Sequence, residues 1–195
     1  MRKYEEPHYL YENIRTKIYP WVKTSLIDHL ALNGKLISEK DTPLVAFVGE
    51  LLVCFVIQRE HGQYEIVKDN MLPPECDIEA LYHVACQNLV RDIDFVISHT
   101  MYGGFGIVAD GHHEASAILY KHIWKMCCEK IQDDLVIMVP SKDMLLFVPA
   151  SDIEGIGKMM IFGQEAYNRN LDKISEGLYL FSKDKEELSV YVSEG

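Results

Sequence analysis

Between His112 and Ile131 the chain carries apolar residues on two faces of a helix at once. Ala115, Ile118, Leu119, Ile123, Met126 and Cys127 fall on one face; Ala117, Tyr120, Trp124 and Cys128 fall on a second. Only Glu114, Lys121, Lys125 and Glu129 leave a polar stripe. A helix that is apolar on most sides is buried on most sides. The segment therefore predicts a central helix, about 112–131, that other elements must wrap.

The wrapping elements come as paired strands. Leu51 to Ile57 is β-branched and aromatic, and His61-Gly62 turns it into Tyr64 to Val67. Val45 to Val48 is open between strand and loop. Phe95 to Ile97 starts a further strand, and Tyr102-Gly103-Gly104 turns into Phe105 to Ala109. Leu135 to Val139 and Met144 to Val148 flank Pro140-Ser141-Lys142-Asp143. Leu178 to Phe181 and Leu188 to Val192 flank Ser182 to Lys185. A second helix, about 77–91, starts at an Asp77 cap and buries Ile78, Leu81, Tyr82, Ala85 and Leu89. Tyr9 to Leu32 has helical spacing, kinked or divided at Pro20 and ended by Asn33-Gly34. A polar link, Ser38 to Thr42, follows. Ile153 to Tyr167 is helical but interrupted by glycine. Adjacent strand pairs predict an α+β fold with a largely antiparallel sheet. The expected organisation is a single domain over 1–195, with a helical N-terminal segment at 1–35 and an α+β core at 44–192.

The formal net charge is −11, and the acidic excess lies beyond Glu60. Phosphate neutralisation needs a basic surface, so direct nucleic-acid binding and attachment to anionic membranes are both disfavoured. A protein partner is the expectation. The most apolar stretch, Leu44 to Ile57, is shorter than the ~20 residues that span a bilayer. The start of the chain lacks the apolar run of a signal peptide. Cys54, Cys76, Cys86, Cys127 and Cys128 are odd in number and show no CxxC spacing, which predicts free thiols in a reducing compartment. Together these predict a cytoplasmic protein.

The layout resembles the YtpQ-like proteins and related bacterial proteins of unknown function, common in Gram-positive gut bacteria. The likeness is carried by Leu51 to Met71 and by Asp77-Ile78-Glu79-Ala80-Leu81-Tyr82 with Ala85 and Asn88. It continues through Glu114-Ala115-Ser116-Ala117-Ile118-Leu119-Tyr120, Asp134 to Pro149 and Ile174 to Leu180. It covers about two-thirds of the chain and departs at Gly103 to His113. It implies the fold and carries no activity or catalytic residue.

Two segments are candidates for binding. Asp110-Gly111-His112-His113-Glu114 puts two carboxylates and two imidazoles at a strand end, where helix N–H groups favour anions. Adjacent histidines on a helix diverge by about 100°, and the i,i+4 spacing of a zincin helix is absent. Tyr102-Gly103-Gly104 is a glycine turn that matches neither the dinucleotide fingerprint nor the P-loop. Ser141-Lys142 is not the spacing of a Ser/Lys nucleophile pair. His122 is expected at the core or its boundary. Lys121 and Lys125 are the sole hint of an activating cation near Cys128. No catalytic residue, metal set or cofactor is identified. A non-catalytic binding module is therefore the leading reading. Two alternatives stay open: an acidic inhibitor that mimics nucleic acid, and a small metal-dependent hydrolase using Asp110 to Glu114 with Asp134 or Asp143.

Overall fold

The computed structural model describes residues 7–24 and 41–192. They form two compact units. The first holds residues 7–24, 41–47 and 51–92; the second holds 48–50 and 93–192. Each unit has its own antiparallel sheet with helices beside it, so the fold is α+β. The expected segment 1–35 is described over 7–24. These residues share a unit with Leu51–Asp92.

In the first unit, α1 (Pro7–Ile14) leads to β1 (Ile18–Lys23). Then come β2 (Val45–Ala46), β3 (Leu52–Gln58), β4 (Tyr64–Ile66) and α2 (Ile78–Asp92). β3 is central. It pairs with β1 along one side, and with β2 and β4 along the other. Phe55, Ile57 and Ile18 pack with Leu81 and Ala85 of α2. Asp77 caps α2 as expected, its Oδ1 accepting from the Glu79 amide at 3.0 Å.

The helix expected from Tyr9 to Leu32 is corrected here. It stops at Ile14, and Ile18 to Lys23 is a buried strand paired with β3. Pro20 inside a helix removes a hydrogen bond and clashes, at about 3 kcal/mol, whereas Ile18, Tyr19, Trp21 and Val22 suit a pleated strand. The switch is clamped from α2. Asn88 donates to the carbonyls of Arg15 and Ile18, both at 2.8 Å, and Tyr19 donates to Asp92 at 2.8 Å. The remainder of that run, 25–32, its end at Asn33-Gly34 and the start of the link at Ser38 lie outside the described residues.

The second unit contains β5 (Val96–His99), β6 (Phe105–Val108), α3 (Lys121–Ile131), β7 (Leu135–Ser141), β8 (Met144–Pro149), α4 (Ile153–Arg169), β9 (Leu178–Ser182) and β10 (Glu187–Val190). Its sheet order is β10-β9-β7-β8-β6-β5. β7 is buried along its whole length because both sheet faces are covered. Val136, Met138, Leu146 and Val148 meet Ile156 and Met159 of α4. On the other face Phe147 takes the Trp124 ring of α3 edge-on, with centroids 5.4 Å apart.

The central helix expected over 112–131 is also corrected. Ala115 to Leu119 is a 3₁₀ turn, Tyr120 breaks out at φ −96° and ψ 82°, and the α-helix begins at Lys121. The usual ladder loses its partners at that point. The Ala115 amide donates to the carbonyl of Lys142, and the Trp124 indole takes the carbonyl of Ile118 that a continuous helix would give to residue 122. The 3₁₀ turn is enclosed, whereas α3 buries one side, with Ile123, Trp124, Cys127 and Cys128 inward. His122 faces solvent rather than the core.

The glycines of Ile153 to Tyr167 do not weaken the helix. Asp152 caps it through the Gly155 amide at 2.8 Å. A Cβ at Gly163 would stand 2.3 Å from the Met138 sulfur, so glycine there lets α4 lie close on β7.

Candidate functional site

The two candidate segments lie at opposite ends of β6. The Asp110–Glu114 loop leaves its C-terminal end beside the β7–β8 turn. The Tyr102-Gly103-Gly104 turn enters its N-terminal end beside Val148. Four strand residues separate them, roughly 13 Å. The eight residues singled out from sequence therefore do not form one site.

In the Asp110–Glu114 loop the polar groups turn onto the loop's own backbone. Asp110 Oδ1 accepts from the amides of His112 and His113, each at 3.0 Å, and Oδ2 meets His113 Nδ1 at 2.9 Å. Burial works against ionisation of Asp110, but His113 and the two amides outweigh it and hold the carboxyl below its ordinary pKa. His113 is 0% exposed. Its burial outweighs the pull of Asp110 and lowers its pKa below the usual 6.5. The neutral ring carries its proton on Nδ1, facing the carboxylate. Glu114 is 5% exposed, and its Oε1 accepts from Ala109 N at 3.0 Å and Gly111 N at 2.8 Å. Its Oε2 is buried with no hydrogen-bond partner among the described residues. Gly111, at φ +81°, makes the turn that brings these amides round.

The surroundings are polar and paired. Ser141 Oγ donates to Asp143 Oδ1 at 2.7 Å, which also accepts from Asn170 at 3.0 Å. Lys142 pairs with Asp172 at 2.8 Å. Asp143 lies at the loop's end of the β7–β8 hairpin. Asp134 precedes β7 at the opposite end, where it accepts from Lys183 N at 2.7 Å. Among the described residues, no group of three or more His, Cys, Asp or Glu side chains stands at metal-binding distance. All five cysteines are free, and Cys54, Cys127 and Cys128 are buried. Burial raises the pKa of each of these three thiols to about 11. Lys121 and Lys125 face Glu186, at 3.8 and 2.8 Å, and do not activate Cys128.

At the other end of β6 the side chains turn outward. A notch of about 360 Å³ is lined by Met101, Tyr102, Lys158, Ile161, Phe162 and Glu165. Gly104 folds the turn tightly: a Cβ there would stand 2.3 Å from the Tyr102 ring. The ring is thereby laid on Phe162, centroids 5.5 Å apart, and its hydroxyl donates to the Phe105 carbonyl at 2.7 Å. Met101 is 96% exposed and Ile161 64% exposed. On the same sheet face the directly opposed Val96 and Val108 are also exposed. They share this face because Val108 lies two residues from Gly106, the partner of Leu146 in the α4 core. Of the sequence candidates, Tyr102 alone lies in this notch. Met101, Ile161 and Phe162 are missed when Ile153 to Tyr167 is read as a weak helix. The signal that finds the α4 side is an apolar Ile161 centred among Glu154, Lys158, Glu165 and Arg169 at helical spacing; it does not reach Met101.

The first unit holds a larger cleft of about 570 Å³ beside Lys17, Arg59 and Glu60. Its Arg59 guanidinium is taken by Glu65, at 2.7 and 2.8 Å. No helix among the described residues is long and apolar enough to cross a membrane. No family model, curated protein or solved structure matches the chain.

Proposed function

We propose that the chain is a non-catalytic binding module that engages a protein partner through the face around Met101 and Ile161. The observation that carries this reading is the outward set of apolar side chains beside the Tyr102–Phe162 stack. Exposed apolar patches rimmed by charge mark interaction sites on soluble proteins. The Asp110–Glu114 loop supports it from the other direction. Five backbone and ring contacts on its two carboxylates account for them as the fastening of a tight turn. The acidic-inhibitor reading draws less support, because many carboxylates are pinned. Asp77, Asp133 and Asp152 accept from nearby amides, and Glu65, Asp92 and Asp172 are ion-paired. The free thiols accord with a reducing compartment and the cytoplasm.

The test is affinity capture from the cells that make the protein, using the intact chain and the double variant Met101→Asp/Ile161→Asp. A discrete partner retained by the first and lost by the second is the expected result. Equal retention by both, or none by either, would contradict the reading.

The metal-dependent hydrolase keeps one observation in its favour: the buried, unpartnered Oε2 of Glu114 beside the His113–Asp110 pair. Metal analysis of the purified protein decides it. Near-stoichiometric zinc, manganese or nickel, lost when His112 and His113 are changed to Ala, would replace the non-catalytic reading.

A further inference from the structure

The solvent side of α4 carries a pattern that specifies a partner. Glu154, Lys158, Ile161, Glu165 and Arg169 follow one another at helical spacing, within a stripe about 80° wide at 100° per residue. Glu154 pairs with Lys158 at 2.6 Å and Glu165 with Arg169 at 3.6 Å. An isolated run of such pairs is an ordinary solvated helix face. Here the centre of the stripe is the exposed Ile161, and Met101 stands beside it across the notch.

The charges are self-complementary about that centre. Lay a second α4 antiparallel on the first, with a two-fold axis at Ile161. Lys158 of each copy then faces Glu165 of the other, Glu154 faces Arg169, and Ile161 packs on Ile161. A parallel arrangement sets Glu154 against Glu154 and Lys158 against Lys158, which repels. An isologous contact needs one patch that complements itself, and flanking charges fix its orientation as they do in coiled coils.

We propose that this face docks a second copy of the chain, α4 against antiparallel α4, with Ile161 at the centre and Met101 at its edge. The proposal rests on the reading that this face is the interaction surface, and it names the partner as the chain itself.

The experiment is sedimentation equilibrium of the full chain at low salt over a wide concentration range. The variants are Lys158→Glu, Glu165→Lys, the double exchange Lys158→Glu/Glu165→Lys, and Ile161→Asp. The wild type should show a monomer–dimer equilibrium. Each single reversal places like charges opposite each other twice per dimer, and should raise the dissociation constant about tenfold or more. The double exchange restores opposite signs and should return it to within about threefold of wild type. Ile161→Asp should be monomeric. All three positions face solvent, so melting temperatures should match the parent and separate lost docking from lost folding. A wild type that stays monomeric overturns the proposal. So does a dimer indifferent to the single reversals, or a double exchange weaker than either single. If the wild type is monomeric yet retains a different protein through Met101 and Ile161, the second-copy proposal falls and the binding-module reading stands. If it is monomeric and retains nothing, both fall.

Discussion

At one end of β6 the polar atoms turn inward, and at the other the apolar ones turn outward. The Asp110–Glu114 loop holds the residue types that chemistry uses, yet Asp110 and Glu114 tie up four amides and one imidazole of their own loop. The Tyr102 turn holds no reactive group, yet beside it Met101 and Ile161 project into solvent. Residue type says what a side chain could do. Direction and partners decide what it does, and these differ at two places only a short strand apart.

That contrast can be broken by substitution, beginning with the scaffold between the two ends. Ile118→Asp puts an unpaired charge in the enclosed 3₁₀ turn, at a cost of several kcal/mol against a total stability of about 5–15 kcal/mol. Unfolding at ambient temperature, seen by circular dichroism, is the expected result; a parental melt would undo the packing described here.

Glu114→Ala comes next. It strips the acceptor from two amides in a buried loop and should cost about 2–3 kcal/mol in urea denaturation, where a loss under 0.5 kcal/mol would remove the fastening role. Asp110→Ala removes a turn cap and should cost about 0.5–2 kcal/mol.

His113 adds a pH signature. Its folded pKa is lowered, so below about 6.5 the unfolded chain binds a proton that the folded chain resists. Stability from this group is complete above pH 6.5 and falls as pH drops toward the folded value. Asp110, also lowered, loses its contribution only below the ordinary carboxylate range, beneath that window. Melting between pH 7 and 5 should therefore fall more steeply for wild type than for His113→Asn. Parallel slopes would show that His113 is not held neutral by burial.

The smallest effect on stability belongs to Met101→Asp/Ile161→Asp. It should lie within about 0.5 kcal/mol of the parent, as for surface positions generally, while removing binding. A large destabilisation would mean that these side chains support the fold rather than a partner.

Much of the fold is legible in the sequence. β3, the β7–β8 hairpin and α2 follow from β-branched runs, a Pro-Ser-Lys-Asp turn and an Asp77 cap, all local signals. Tyr9 to Leu32 misleads because Ile14, Ile18 and Val22 satisfy helical spacing, while the decision rests on Asn88 and Asp92, some seventy residues away in sequence. The break at Tyr120 is equally non-local, since Lys142 and Trp124 take over the loop's hydrogen bonds. Of the candidate site, the types in Asp110 to Glu114 are plain in the sequence, but their inward direction needs Gly111 and the strand end in three dimensions. The Met101–Ile161 notch joins two elements about sixty residues apart, and no short window of sequence contains it.

The most direct measurement compares the two ends of β6 in one experiment. A photo-crosslinking phenylalanine analogue is placed at position 161 in one sample and at position 112 in another, and each protein is irradiated in the cells that make it. A discrete protein adduct from position 161 and none from position 112 is the expected result. An adduct from 112 with none from 161 would contradict it, and would move the functional surface to the Asp110–Glu114 loop.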